Sequence, residues 1–193
     1  MDIDQAIVEL GERLDAWWDG FCPLLNSEDR AAQGHALLRG FEITKEFDRL
    51  KADGLATLAA LVNRQDSVPA DERAASLIRA FKFGARLADT LHDEFRDTAD
   101  GETKVVNLTD EIVKSLNKIG SGRAALAELL DDPDRGVRAL AGVYLIDLMP
   151  DRVCPILQQV REEARGLSAG LRAYMTVFAW ERVGVARFNY LSG

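Results

Sequence analysis

Gly136-Val-Arg-Ala-Leu-Ala-Gly-Val-Tyr-Leu145 and Gly170-Leu-Arg-Ala-Tyr-Met-Thr-Val-Phe-Ala179 align without a gap at an offset of 34 residues. Four of the ten positions are identical, and the pairs Val137/Leu171 and Tyr144/Phe178 exchange one apolar side chain for another. Each stretch follows a helix-like segment and a short polar turn. A period of this size made of helix pairs is the signature of an α-solenoid, in which each pair buries its apolar face only by stacking on its neighbours. On this register Tyr144 and Phe178 are expected in or beside the core between repeats.

Working outward, a helix is expected from about residue 122 to 130, with Ser121 as its cap. It ends at the turn Asp131-Asp132-Pro133-Asp134. There Asp132 can accept the free N–H groups of the next helix, and Pro133 suits a first helical position because it has no N–H to leave unpaired. That helix is expected to reach Met149. Pro150 opens another to about Arg165, and Ser168 caps a last one through Arg182. The run Leu129-Leu-Asp-Asp-Pro-Asp134, followed by Val137-Arg138 and Ala141, resembles a HEAT-repeat signature. Residues 122–183 as a whole resemble a small bacterial HEAT-like family of unknown function. The resemblance covers about a third of the chain, and the second turn, Arg165-Gly166-Leu167-Ser168, departs from it by lacking Asp-Pro. What it implies is a fold and no chemistry.

Upstream the chain also reads as helical. Ile3, Ile7, Leu10, Leu14 and Trp17 or Trp18 recur at three- and four-residue steps until Gly20 and Pro23, where an interruption is expected. Residues 27–63 are expected to form two or three helices, with breaks near Gly40 and Gly54 and a stripe of Leu55, Leu58, Ala59 and Val62. The most periodic element follows Ser67 and carries Ala74, Leu77, Ile78, Phe81, Ala85, Ala88, Leu91 and Phe95, close to 40 Å of helix at about 1.5 Å per residue. The polar stretch Asp97–Thr103 is the expected boundary between an acidic helical region, 1–100, and the repeats, 101–193, the two packing as one continuous unit. Val105 and Val106 are the one hint of extended chain, too short for a sheet. Beyond them Thr109 is expected to cap a short helix carrying Ile112, Val113, Leu116 and Ile119. The fold class is therefore all-α: a helical bundle leading into a short HEAT-like α-solenoid.

Composition bounds the function. With 193 residues, 47% of them hydrophobic, the chain can fill a core without staples. Cys22 and Cys154 are far apart, and each precedes a proline, which is neither a disulfide framework nor a metal cluster. The first twenty residues carry acids and a Trp pair where a signal peptide needs a basic start and an apolar run, and no apolar stretch reaches the roughly 18 residues of a membrane span. A cytoplasmic protein, away from membranes, is the expectation. The net charge of −8 lies in the first half, with 20 acidic against 12 basic residues over 1–100 and 12 against 12 beyond. An acidic chain repels the phosphate backbone, so nucleic acid is not an expected partner; the DNA glycosylases built on HEAT-like folds need a basic concave face that this composition lacks.

Residues able to carry function are few. Arg138 and Arg172 hold equivalent repeat positions and can line a groove, although Asp134, four residues before Arg138, offers an ion pair inside the repeat. Asp89, His92 and Asp93 share a helix, an arrangement read as a solvated face and not as a metal site. The two Cys-Pro dipeptides resemble a heme-regulatory motif of two residues, too short to predict heme, and no cofactor is expected. Trp17, Trp18 and Phe21 can anchor a partner, since aromatic side chains supply hot spots; two adjacent Trp cannot both face one core, so one is expected buried and the other over it. No nucleophile elbow, phosphate loop or HExxH occurs, and no enzyme is expected. The expected function is protein binding, in the manner of an immunity-type or regulatory binder of a basic partner. A structural or regulatory subunit, a homodimer through the Trp segment, or a cryptic hydrolase or lyase subunit are the alternatives. The far-ultraviolet circular dichroism of the full chain should be dominated by helix; a large strand signal would contradict the 34-residue register.

Overall fold

The computed structural model describes residues 3–25, 30–63, 69–94 and 99–184, with side chains outside 20–44, 92–94 and 99–102. Every regular element among them is a helix: α1 (Ile3–Leu25), α2 (Arg30–Val62), α3 (Ala70–Glu94), α4 (Ala99–Asn117), α5 (Gly122–Glu128) with a 3₁₀ turn at Leu129–Asp131, α6 (Arg135–Leu145), α7 (Pro150–Glu163) and α8 (Ser168–Val183). No described helix is long and apolar enough to cross a membrane. The chain divides into two compact units, Met1–Leu61 and Val62–Gly193, and not at the polar stretch 97–103.

In the first unit α1 buries Ala6, Ile7, Leu10, Leu14 and Trp17, one stripe at helical spacing, and α2 buries Phe47, Leu50, Leu58 and Leu61. Trp17 and Phe47 rings lie 4.8 Å apart, and an exposed Arg13–Asp53 pair at 3.2 Å spans the same two helices. Two expected interruptions do not occur. Helix α1 runs through Gly20 and Pro23, and α2 runs unbroken for 33 residues through Gly40 and Gly54. An interior glycine costs only about 1 kcal/mol against alanine, and Gly54 is buried, so packing outweighs that preference. The buried stripe of α2 is also one residue out of phase with Leu55, Ala59 and Val62, which are only half-buried.

The second unit is organised around α3, which packs against α4, α5, α6 and α8. A helix touched on several sides must be apolar on several sides. Leu77, Ala80, Phe81, Phe83, Ala85, Leu87, Ala88 and Leu91 are all buried. The polar residues between them, Lys82, Arg86 and Asp89, fall at four- and three-residue steps and form one stripe. Each reaches a partner on another element: Lys82 to Asp132 at 2.7 Å, Arg86 to Asp134 at 3.6 Å, and Asp89 to Arg172 of α8 at 2.6 Å.

Local signals were shifted by a few residues. Helix α4 starts at Ala99, inside the expected linker, and takes in Val105 and Val106; Thr109 is interior, and its hydroxyl donates to the Val105 carbonyl at 2.8 Å. Asp134, not Asp132, caps α6, accepting from the N–H groups of Gly136 and Val137 at 2.8 and 3.0 Å. Asp132 instead accepts from the N–H of Asp134 at 2.9 Å, an Asx turn that sets Pro133 before the helix. Neither expected serine caps by its side chain: Ser121 makes no such bond, and Ser168 is already helical, behind Leu167. The two repeat glycines are needed for different contacts. A Cβ on Gly170 would stand 2.1 Å from the Ala164 carbonyl oxygen in the preceding turn, and one on Gly136 would stand 2.1 Å from Asp89 Oδ2.

The equivalent aromatic positions part company. Tyr144 is buried, whereas Phe178, expected in or beside the core, is 38% exposed. Tyr144→Ala should therefore cost about 3–5 kcal/mol, and Phe178→Ala less than about 1 kcal/mol, read as denaturant midpoints at constant slope.

Candidate interaction surface

Helix α6 and helix α8 carry the same repeat, and they bury it differently. The face of α6 formed by Val137, Leu140, Ala141 and Tyr144 is 0, 3, 0 and 3% exposed; its counterpart on α8, Leu171, Tyr174, Met175 and Phe178, is 54, 40, 51 and 38% exposed. The steps of three and four residues place each set on one stripe. The opposite face of α8, with Ala169, Ala173, Thr176 and Val177, is buried, and α8 packs against α6 and α7. Five of the seven large hydrophobic side chains exposed among the described residues belong to α8, Val183 being the fifth.

What covers the α6 face is visible at Tyr144. Its ring meets Phe81 of α3 edge-on at 5.9 Å, and its hydroxyl donates to Asp110 Oδ1 on α4. A neighbouring helix layer thus brings one apolar and one acidic group onto that position. Burial pushes the Asp110 carboxyl above the usual range, against the lowering effects of the Tyr144 hydrogen bond and of Lys114.

On α8 the corresponding rings carry cations in place of a helix layer. The Arg161 guanidinium lies over the Tyr174 ring at 4.9 Å and that of Arg182 over Phe178 at 4.8 Å, while the two rings stack 5.7 Å apart. Among the described residues neither arginine has an acidic partner, whereas Arg165 beside them pairs with Glu162. A groove of about 320 Å³ runs along the α7–α8 turn, lined by Arg161, Arg165, Leu167, Leu171 and Tyr174 among others. Such a surface binds through apolar contact and charge-assisted hydrogen bonds.

The residues singled out in the sequence fall elsewhere. Arg138 and Arg172 are largely buried and structural. Arg138 pairs with Glu163 of α7 and donates to the Asp132 carbonyl at 3.1 Å; Arg172 pairs with Asp89. Arg138 thus bonds to α7, while Asp134 serves as cap and partner of Arg86, so the ion pair expected within the repeat is replaced by contacts to other elements. Trp17 is buried in the first unit, and Trp18 is half-buried beside it with ring centroids 6.4 Å apart. The side chains of Phe21, Cys22, His35 and His92 lie outside the described residues. Asp89 is no solvated group, being held by Arg172. Cys154 is half-buried and free; burial raises its thiol first, then Glu181 and Asp151, which keeps it from being a ready nucleophile. Among the described residues no three His, Cys, Asp or Glu side chains are placed to hold a metal. Sequence reasoning missed Tyr174 and Met175 because an apolar stripe at helical spacing reads as core.

Comparison with protein-family models, curated proteins and solved structures finds no match for this chain.

The buried carboxyl gives a pH test. A carboxyl whose folded pKa is raised favours the folded state when protonated, so Asp110 costs stability progressively as pH climbs from its unfolded value of 3.8 through the folded one. Asp110→Asn keeps an acceptor for Tyr144 without the charge. Its melting temperature relative to wild type should rise between pH 3 and pH 7; a constant difference would contradict the buried-charge assignment.

Proposed function

We propose that this protein is a non-enzymatic, cytoplasmic protein-binding module whose binding face is the exposed stripe of α8. The observation that carries this reading is the contrast between α6 and α8: one repeat face, sealed in the first copy and open in the second. Leu171, Met175 and Val183 are large apolar side chains left exposed, and apolar patches of this kind mark interaction sites. Affinity capture from the native cell with the full chain and with Met175→Glu as baits provides the test. A protein recovered in near-stoichiometric amount with wild type and lost with Met175→Glu supports the reading; identical recovery by both baits overturns it.

The first unit favours a second contact with a basic partner. Residues 1–61 hold 12 acidic against 6 basic side chains, and Glu9, Glu12, Asp15, Asp19, Glu46, Asp48 and Asp53 are exposed. Residues 62–193 are nearly balanced, with 20 against 18. Complementary fields speed encounter, and exposed charges are screened beyond roughly 8 Å at physiological salt. This supports an immunity-type or regulatory binder of a basic protein. Association with the captured partner should slow at least tenfold between 20 and 500 mM salt, and less in a variant carrying Glu9→Gln, Glu12→Gln and Asp15→Asn. A salt-independent rate, unchanged in that variant, would reject the acidic contact.

A further inference from the structure

The α8 face also specifies what should sit on it, and we infer that its occupant is an amphipathic acidic helix of a partner protein, a conclusion that rests on the binding-module reading above. The first argument is internal. The equivalent α6 face is covered by helices that bring Phe81 and Asp110 onto Tyr144. The same repeat geometry at Leu171, Tyr174, Met175 and Phe178 offers anchors at steps of three, one and three residues, the pattern by which one helix receives the apolar side of another.

The second argument is charge. Arg161 and Arg182 are exposed, stand over Tyr174 and Phe178, and have no acidic partner among the described residues. Stacking holds each planar guanidinium in place while leaving its edge N–H groups to take a carboxylate in the two-bond geometry that suits arginine. A ligand that is apolar along one side and acidic beside it therefore satisfies both features of the face. The groove of about 320 Å³ beside Leu171 and Tyr174 has room for a bulky apolar side chain of that ligand.

A lipid surface fits less well. Over residues 161–182 four arginines face three glutamates, and Arg165 and Arg172 are already paired, so the cluster of several free cations that anionic membranes attract is missing.

The test uses the full chain and a phage-displayed library of random 16-residue peptides, selected on wild type and counter-selected on Met175→Glu. Recovered sequences are then measured as fluorescein-labelled peptides by anisotropy. The expected peptides carry Asp or Glu three or four residues from Leu, Phe or Trp. Their dissociation constants should rise at least tenfold with Met175→Glu and with the double variant Arg161→Gln, Arg182→Gln, while both variants keep the wild-type melting temperature because the altered side chains are exposed. Met175-dependent peptides without acids, or indifferent to the double variant, overturn the acidic assignment and leave the binding face intact. Three other Met175-dependent results overturn it by naming a different occupant. These are dimerisation in sedimentation, pelleting with phosphatidylserine vesicles, and tighter peptide binding when Phe188→Ser and Leu191→Ser are introduced into the full chain. If nothing binds in a Met175-dependent way, the inference and the reading beneath it fail together.

Discussion

Helix α3 cannot be buried on several sides unless its polar residues find partners, and the second unit is built to that constraint. Lys82, Arg86 and Asp89 sit on a helix whose other side chains from Leu77 to Leu91 are mostly in the core. Each charged group is matched from a different element: Lys82 by Asp132 in the turn before α6, Arg86 by the α6 cap Asp134, and Asp89 by Arg172 of α8. Of the three, only Asp89–Arg172 is largely buried, and breaking it would leave an uncompensated charge at a cost of roughly 3 kcal/mol; the Lys82 and Arg86 pairs are more open to solvent and contribute less. The effect of the three is to fix register. Asp132, Asp134 and Arg172 reach their partners only if α6 and α8 dock at one height along α3, and Gly136 has no Cβ because Asp89 passes within 2.1 Å of where it would be.

The same constraint explains why one repeat has two fates. Helix α6 lies on α3 and meets α4 through Tyr144 and Asp110, whereas α8 touches α3 near Arg172 and leaves Leu171, Tyr174, Met175 and Phe178 exposed. Aligned apolar positions thus become core in one stretch and surface in the other. In a strictly one-dimensional stack each repeat meets only its neighbours. Here α3 contacts both α6 and α8, so the described part of this unit is a bundle around a central helix with repeat-like character at its end.

The proposed binding function rests on that unequal burial. The open α8 stripe places Tyr174 and Phe178 under the guanidiniums of Arg161 and Arg182, which have no acidic partner among the described residues, and the acidic residues gather in the first unit. Affinity at the stripe would come chiefly from apolar burial and specificity from the arginines. The acidic residues would act mainly on the rate of encounter.

Periodicity alone determined the all-helical character and the place of α3 and of α5 to α8 to within a few residues. These are local properties, because the 3.6-residue repeat and the breaks at Gly120, Pro133 and Pro150 are written in neighbouring residues. Tertiary structure decided the rest. Helix α2 stays whole through Gly54, and α4 starts inside an apparent linker, because packing energies exceed the small preferences by which glycine and polar residues mark breaks. Asp89 finds Arg172 across 83 residues, a pairing no spacing rule reports. Whether an apolar stripe is core or interface depends on whether another helix lies over it. The apolar spacing of α8 matches that of α6, and the layer that covers α6 is contributed by residues far away in the chain, so only the folded protein could show that Met175 faces outward.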